Sequence, residues 1–560
     1  MDEEVLTGQN AYKDIFADIR DIPKKIFTLP TSGTVALFGP EIGIVDTPEF
    51  QRLGGVKQLG TSYVVFRGAL HTRFEHSLGS LHQAERMIQK IIANPYSPNP
   101  DFPAWRLARL GALLHDLPHV PFGHTLEDEF HLLQRHDKNP DRMKTLLEES
   151  PIGEILREQL PDGEYDELLA ILHAKDDAEM AALKYPFVGD IVGNTVCADL
   201  LDYVPRDLEA CGMPVAIGDR FMDFLSISSD LEGGAQDHQR IVLNLDKRGM
   251  PRPDVESEVI KLLTYRYELA ERVYFHHAKN AASVMIARAV QEAGFASDYT
   301  AHPELDENFK RLSDELLLHS LVDPRIEQAL GLTTQAVGNR DLAARLAADV
   351  TQRRLFKIAY LAVHDDLVDG AGRICEDYGQ DPAARKSLED ELAIAAGLQP
   401  GEVLVHVPRH HMMTKDAEVR VRTSANEIVT LTQWDRRHGN RVEALNRAHE
   451  RLWRLTVYIH PERLHRRGLV SAKAEQIFKA PSRYVDTPAV QPYRQAVYQE
   501  LTRQYELDED DRSAMIDFAA QEEEGGTLDA SEAALLDFLS ARRSAAGRPE
   551  LATRQPNEAG

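Results

Sequence analysis

The chain has 560 residues and a formal net charge of -26, with 43% of its residues apolar and 28% charged. That length admits roughly two to four domains, or one large helical body, and the apolar share is that of an ordinary globular protein. The acidic balance argues against a bulk electrostatic grip on DNA or RNA, which works by neutralising phosphates, but leaves room for a small phosphorylated ligand held by a local Arg, His and Lys cluster. In chain order, residues 1–45 mix strand-like and turn-like pieces, and VALFGPEIGIVDTPEF is expected to form a short hairpin. Thr47-Pro48 marks a helix start, and PEFQRLGGVKQL continues it with an interruption at Gly54-Gly55. From Arg73 to Ile92, the residues Leu78, Leu81, Ala84, Met87, Ile88 and Ile91 keep helical spacing, which Asn94-Pro95 stops. The next helix is predicted over Ala104–Leu117, burying Leu107, Leu110, Leu114 and Leu117, with His115 and Asp116 in its last turn and Pro118 ending it. Helices continue through Gly212 and again from Glu256 to Val290. Beyond about Leu367, GEVLVHVPRHH and AEVRVRTSANEIVTL read as a pair of strands, followed by a helix over Arg441–Val457. After Ser471 the composition turns acidic, and AAGRPELATRQPNEAG has no pattern able to form a core and is expected to be disordered.

Cys197, Cys211 and Cys375 lie far apart and form no CxxC pair, so a disulfide framework and a thiolate zinc site are both unexpected and a reducing cytoplasm fits. No apolar run reaches membrane-spanning length, and MDEEVLTGQN lacks a signal-peptide pattern. The chemistry centres on His115-Asp116. Adjacent residues on a helix point about 100° apart. They still meet at one cation if another helix crosses with further ligands, and His76 and Asp199 are the candidates. Imidazoles with hard carboxylates suit Zn, Fe, Mn or Ni. His119, His124, Glu127 and His136 lie close by and have the composition of acid–base equipment. Asp199, Tyr203 and Asp207 follow at i, i+4 and i+8 along one helical face, with Pro205 inside the run. Arg266, Arg272, Tyr274, His276, His277 and Lys279 form a basic and aromatic patch suited to phosphate and a stacked base. Taken one at a time, each group is also explained by ordinary surface polar residues.

Taken together, TPEFQRLGGVKQLG, FRGALHTRFEHSLG, LLHDLPHVPFGH, DIVGNTVCADLLDYVPRD and TYRYELAERVYFHHAK resemble the HD-domain deoxynucleoside triphosphate triphosphohydrolases. The likeness is to their vertebrate sterile-alpha-motif-and-HD members, without the sterile-alpha-motif domain, and covers roughly residues 30 to 460. It implies a mainly α fold: an HD metal phosphohydrolase core with a small α+β C-terminal lobe. The expected parts are an N-terminal segment (1–45), an HD phosphohydrolase domain (46–330), the lobe (331–470), an acidic helical extension (471–542) and a tail (543–560). The resemblance assigns one divalent transition metal (Mn, Fe, Zn or Ni) to His76, His115, Asp116 and Asp199, with Mg entering on the substrate. It gives catalysis to His119, His124, Glu127 and His136, sugar contact to Gln58, Leu59, Tyr203 and Asp207, phosphate contact to Arg73 and Arg266, and sugar stacking to Tyr274. It also places a regulatory nucleotide between subunits near Asp46 and Gln51, with Arg52 able to add a phosphate contact, and implies a dimer or tetramer. The expected reaction is dNTP plus water giving deoxynucleoside and triphosphate, used in dNTP balance or antiviral defence. Hydrolysis of other nucleotides and a non-catalytic nucleotide sensor are the alternatives. Four positions depart from the family pattern: Pro118 for a glycine, Ala270 for a histidine, Leu200 for a lysine and Gly54 for an arginine.

Overall fold

The computed structural model describes residues 24–136, 139–174, 176–228, 238–247, 249–296, 303–335, 338–367, 370–408, 419–423, 427–484, 501, 505–508, 510–511, 514–515 and 532–552. The fold is mainly α with a few small sheets. The chain divides into two compact units. One comprises Met1–Ser283, Ala289–Ala348 and His411–Leu452; the other comprises Val284–Arg288, Asp349–His410 and Trp453–Gly560.

The first unit opens with a hairpin of β1 (Lys24–Leu29) and β2 (Gly33–Phe38), antiparallel, with Leu29 opposite Gly33. Helix α1 (Arg73–Ala93) then packs on α2 (Phe102–Leu114) and on α4 (Ala198–Ala210), with α3 (Pro140–Leu147) between the last two in sequence. Their shared core contains Leu78, Leu81 and Met87 of α1, Leu107 and Leu110 of α2, and Leu201 and Val204 of α4. Burial of such side chains stabilises by about 1.5–3 kcal/mol each. Helices α5 (Pro253–Leu269), α6 (His277–Glu292, whose residues Val284–Arg288 count with the second unit) and α7 (Asp314–Val322) follow. A four-stranded sheet of β3 (Leu225–Ile227), β4 (Ile241–Asn244), β7 (Arg420–Arg422) and β8 (Ile428–Thr430) has the order β8-β7-β4-β3. The second unit holds a sheet of β5 (Lys357–Val363), β6 (Val403–His406) and β9 (Arg454–Ile459), with β9 in the centre.

Several local expectations are corrected. VALFGPEIGIVDTPEF does not fold on itself. Its first residues are β2, paired with the preceding β1, and Pro40–Val45 is helical, because Gly39 at φ 52 turns the chain and Pro40 opens a helix. The helices expected from Glu256 to Val290 are two, α5 and α6. A π-helical turn spans Ala270–Tyr274, and α6 restarts behind His276, whose ring accepts from the Ala278 amide at 3.2 Å. The helix expected over Arg441–Val457 ends at Glu450, and β9 follows. The two segments read as strands near residues 403–431 do not pair with each other: β6 joins β9, whereas AEVRVRTSANEIVTL itself holds two strands, β7 and β8, which pair with each other, and β7 also joins β4. The acidic run at 522–524 and residues 553–560 of the tail lie outside the described residues; residues 545–552, expected to be disordered, are held in place, with the Glu506 amide donating to the Ala552 carbonyl at 2.8 Å and Arg548 paired with Asp508. All three cysteines are free thiols, and among the described residues no helix is long and apolar enough to cross a membrane.

Candidate active site

A reciprocal cap starts α1. The Thr72 amide donates to Glu75 Oε2 at 2.7 Å, and the Thr72 side chain caps the third residue in return. This start sets Arg73 and His76 in the first turn. Helix α2 stops at Leu114, three residues before the predicted end, because the residue before Pro118 is barred from helical backbone by the proline ring. His115 and Asp116 therefore occupy the turn after the helix. His115 still has helical backbone angles and bonds to the Gly111 carbonyl at 3.0 Å, and its side chain and that of Asp116 reach one point.

At that point the ligand atoms of His76, His115 and Asp199 lie within 4.8 Å of one another. His76 Nε2 is 3.2 Å from Asp199 Oδ1 and 3.5 Å from Asp116 Oδ2. His115 Nε2 is 3.5 Å from Asp116 Oδ1 and 3.7 Å from Asp199 Oδ1. Each imidazole is held from behind, His76 Nδ1 by Asp202 at 2.9 Å and His115 Nδ1 by the Ala112 carbonyl at 2.7 Å. Both Nε2 atoms thereby face two carboxylates, where a metal that displaces the Nε2 proton would find a lone pair, and His115 Nε2 is buried without a hydrogen-bond partner. Burial opposes charge on His76, but Asp199 and Asp202 outweigh it and push the imidazole up to about 10. A buried, unpartnered imidazole nitrogen in a surplus of carboxylates fits a divalent transition metal. Asp202 was missed in the sequence, although its spacing from Asp199 puts both on one side of α4.

Asp116 is shared with a second group, since its ligand atom and those of His119 and His136 also lie within 4.8 Å. Burial pushes Asp116 up, but Arg73, His119 and His115 outweigh it and hold the carboxyl well below its ordinary range; Arg73 Nη1 donates to Oδ2 at 2.5 Å. His119 Nε2 is 3.3 Å from Asp116 and its Nδ1 3.5 Å from Glu127, while His136 Nδ1 is 2.9 Å from Glu127. Burial, Arg73 and His136 push His119 down to about 4, so its ring is neutral near pH 7. Glu127 is buried yet held low by His136, His119 and Arg142. Arg142 of α3 is a hub: it pairs with Glu127, binds Asp306 through Nε (2.9 Å) and Nη2 (2.5 Å), and donates to the carbonyls of Pro118 (3.2 Å) and Gln134 (3.0 Å). One guanidinium thus ties the turn after Asp116 to the loop before His136. Neither Arg142 nor Asp306 carries a sequence motif. His124 differs from the other two imidazoles: it is exposed, bonded to Asp128 at 2.5 Å, with its ring 5.1 Å from that of His119. Phe122 and Gly123, both at positive φ (57° and 41°), bend the chain before it, and Asp314 of α7 clamps the bend by accepting the Phe122 amide at 2.8 Å. A Cβ on residue 123 would stand 2.8 Å from Arg73 Nη2, so the close approach requires glycine.

The residues assigned to a sugar and phosphates lie along α4 and its neighbours. α4 runs on through Pro205, so Asp199, Tyr203 and Asp207 share one face, and the Tyr203 ring is 6.5 Å from that of His76. Asp207 accepts from the Tyr274 hydroxyl at 3.2 Å and is 2.7 Å from His71 Nε2, another residue missed in the sequence. Burial raises Tyr203 and Tyr274, and the charge of Arg266 works against it at both, which places that guanidinium near the pair. The Gln58 backbone N–H donates to the His71 carbonyl at 3.1 Å, and Leu59 beside it is buried. Of the departures, Leu200 and Ala270 are buried apolar residues, Gly54 is exposed in open space, and Pro118 supplies a carbonyl to Arg142. Asp46 pairs with Lys25 at 2.6 Å and Gln51 donates to the Val45 carbonyl at 2.7 Å; among the described residues neither bonds to the histidine cluster. Arg52 Nη2 donates to the Leu117 carbonyl at 3.0 Å, behind the turn that carries His115 and Asp116.

Residues 73–211 match the family model of the HD domain, and residues 256–486 match that of the HD associated region. The chain is 30% identical over 261 residues to an uncharacterized Bacillus subtilis protein, YwfO, across 45% of this chain and 51% of that one. It is 41% identical over 106 residues to the deoxynucleoside triphosphate triphosphohydrolase SAMHD1 of Xenopus laevis, across 19% of this chain and 17% of that one. The chain spans about half the length of the curated relatives it matches over the longer alignments. Among solved structures, a hypothetical protein from Aquifex aeolicus superposes with a TM-score of 0.54 at 21% identity, covering 80% of this chain and 100% of that one, a likeness of fold. With the His76, His115-Asp116 and Asp199 set inside the first matched segment, the chain belongs to the HD-domain proteins and carries an HD domain followed by an HD-associated region.

Proposed function

We propose that this protein hydrolyses deoxynucleoside triphosphates to deoxynucleoside and intact triphosphate. The observation that carries the reading is the convergence of His76, His115, Asp116 and Asp199, with His115 Nε2 buried and unpartnered, at the end of α4 whose same face presents Tyr203 and Asp207. A divalent transition metal held by those four residues would polarise the phosphate and lower the pKa of an attacking water. Arg73, fixed on Asp116 with its Nε buried and unpartnered, neutralises phosphate charge. Glu127 accepts from His136 Nδ1, which turns the other ring nitrogen outward. In the reaction, water oxygen bonds to the α-phosphorus, the bond to the 5′-oxygen breaks, and a protonated imidazole, His136 on Glu127 or His124 on Asp128, delivers a proton to that oxygen. Tyr203, one turn along α4 from Asp199, crowds the 2′ position and selects the deoxy sugar. The naming of the Xenopus relative as a dNTP triphosphohydrolase supports this choice of substrate.

A second reading, hydrolysis of other nucleotides, is favoured by the changed positions Pro118, Leu200 and Ala270. Metal analysis with a nucleotide panel, products resolved by chromatography, separates the two. The expected result is about one metal per chain, lost in Asp116→Ala together with activity, and triphosphate as the product of dNTPs. Single phosphates as product, or turnover of monophosphates, would establish the second reading instead. Control by a nucleotide at Asp46 and Gln51, in a dimer or tetramer, is part of the same proposal; sedimentation that shows a strict monomer with and without nucleotides would remove it.

A further inference from the structure

Asp314 is a buried carboxylate whose two oxygens hold two separate parts of the chain. It stands at the start of α7, behind Ser313, whose Oγ caps the helix by accepting the Leu316 amide at 3.3 Å. Oδ2 accepts the Lys57 backbone N–H at 3.0 Å, and Oδ1 accepts that of Phe122 at 2.8 Å. The Lys57 ammonium is 3.8 Å from Oδ2 and turns to Glu315, 2.6 Å away. The closest partners of the carboxylate are therefore two main-chain amides. Hydrogen bonds to an ionised acceptor are the strong kind, and here they fix where two backbone segments run.

Each amide leads to one half of the site. Lys57 pairs with Thr72, the cap of α1, and the Val56 carbonyl before it accepts the Arg73 amide at 2.9 Å. Holding Lys57 therefore holds the first turn of α1, which carries Arg73 and His76. Phe122 and Gly123 form the left-handed bend between His119 and His124. A residue with a side chain keeps such backbone only where its surroundings impose it, and the carboxylate on the Phe122 amide is such a restraint. The two halves also touch: a Cβ on residue 123 would stand 2.8 Å from Arg73 Nη2. Movement of the bend toward α1 is blocked by that contact, and movement away is opposed by Asp314. Asp314 lies in the segment that matches the HD associated region, whereas Arg73, His76 and the bend lie in the segment that matches the HD domain.

We propose that Asp314 is a positioning residue for the reaction: one carboxylate of the HD-associated region ties the start of α1 to the bend before His124, and so sets the spacing between the Arg73 and His76 side of the site and the imidazoles of the bend. It touches neither substrate nor reacting atoms. The assignment rests on the hydrolytic reading above and adds a residue to it, since proton delivery to a leaving oxygen demands that the imidazole stand at hydrogen-bonding distance from it. A tie through main-chain amides meets that demand without placing a further charge in the site.

The test reads the tie and its effect separately. Hydrogen exchange in the metal-free protein follows the Lys57 and Phe122 amides. Both are expected to be protected in wild type and to exchange about tenfold or more faster in Asp314→Ala, with the core amides of α1 and α4 unchanged. Kinetics use whichever nucleotide the metal-loaded wild type hydrolyses. Misplacement by about an ångström costs about a hundredfold in rate, so Asp314→Ala is expected to lower kcat by about 10- to 100-fold, with KM and chelator-measured metal affinity within about threefold of wild type. His124→Ala is expected to cost much less in Asp314→Ala than in wild type, because an imidazole already out of place has little left to lose. Asp314→Asn keeps the volume and one acceptor oxygen, restores one of the two ties, and is expected to fall between Asp314→Ala and wild type. Amides that stay protected in both variants, an unchanged kcat, or losses at Asp314 and His124 that simply add would overturn the assignment. Hydrolysis of nucleotides other than dNTPs would instead overturn the substrate reading, with the role of Asp314 decided by the same cycle on that nucleotide; no hydrolysis of any nucleotide would overturn both.

Discussion

Replacing Gly79 with alanine is expected to destabilise this protein, although glycine to alanine inside a helix ordinarily gains about 1 kcal/mol. Gly79 lies within α1, where α4 packs against it. A Cβ at this position would stand 1.9 Å from Asp202 Oδ1 and 2.4 Å from Arg206 Nη2. Neither group is free to swing away. Asp202 accepts from Arg206 Nε at 2.9 Å and Nη2 at 2.8 Å, from Ser32 Oγ at 3.1 Å, and holds His76 Nδ1 at 2.9 Å. Clearing the new methyl moves the carboxylate by about an ångström, which takes the His76 contact out of hydrogen-bonding range. Overpacking of this kind costs about 1–3 kcal/mol. Losing the group that orients a ligand lowers metal affinity by about 10–100-fold. Thermal unfolding of the metal-free protein measures the first effect, and competition with a calibrated chelator the second. Asp202→Asn serves as a companion, since it keeps the packing and weakens what His76 and Arg206 meet without adding the methyl. A Gly79→Ala protein that melts above wild type and holds metal as tightly would refute the reasoning, because it would mean that Asp202 neither fills the space at residue 79 nor anchors His76.

The remaining predictions concern the groups that brace the site. Burial pushes Asp314 up to about 6, against an ordinary carboxyl near 4 in the unfolded chain, so the folded state holds an extra proton between those values. The stability this contributes, about 3 kcal/mol, is present below pH 4 and lost as pH rises through 6; melts of wild type and Asp314→Asn from pH 4 to 7 are expected to show the wild-type lead shrinking as pH rises, and a flat difference would contradict it. Arg142→Met leaves Glu127 and Asp306 without their shared counter-charge and is expected to cost about 3–5 kcal/mol in urea unfolding, with Arg142→Lys recovering only part because a point charge cannot span the same acceptors; a loss below about 1 kcal/mol would show that the hub is dispensable. Tyr203→Ala is expected to lower the dGTP over GTP preference by about ten- to a hundredfold, read as the ratio of kcat/KM values, since apolar crowding rather than a hydrogen bond does the rejecting; an unchanged ratio would move the sugar away from that ring.

What the sequence determined was local. The spacing of Leu78, Leu81, Met87 and Ile88 defines the buried face of α1, and all four are buried. The His115-Asp116 pair after an apolar run marks where chemistry concentrates. Periodicity failed where burial is two-sided: β9 is the central strand of its sheet and buried along nearly its whole length, so it lacks the alternation that separates strand from helix. It also failed at the end of α2, where the three residues between Leu114 and Pro118 decide that His115 and Asp116 sit in a turn and can converge. The bracing residues were beyond reach for a different reason. His71 meets Asp207 across 136 residues, Arg142 meets Asp306 across 164, and Phe122 meets Asp314 across 192. Such pairings depend on how helices pack and in what register, which no local pattern encodes. The sequence therefore names the side chains that carry the chemistry, while tertiary packing decides which of their atoms are available. His76 and His115 present Nε2 because Asp202 and the Ala112 carbonyl stand behind the rings and engage Nδ1.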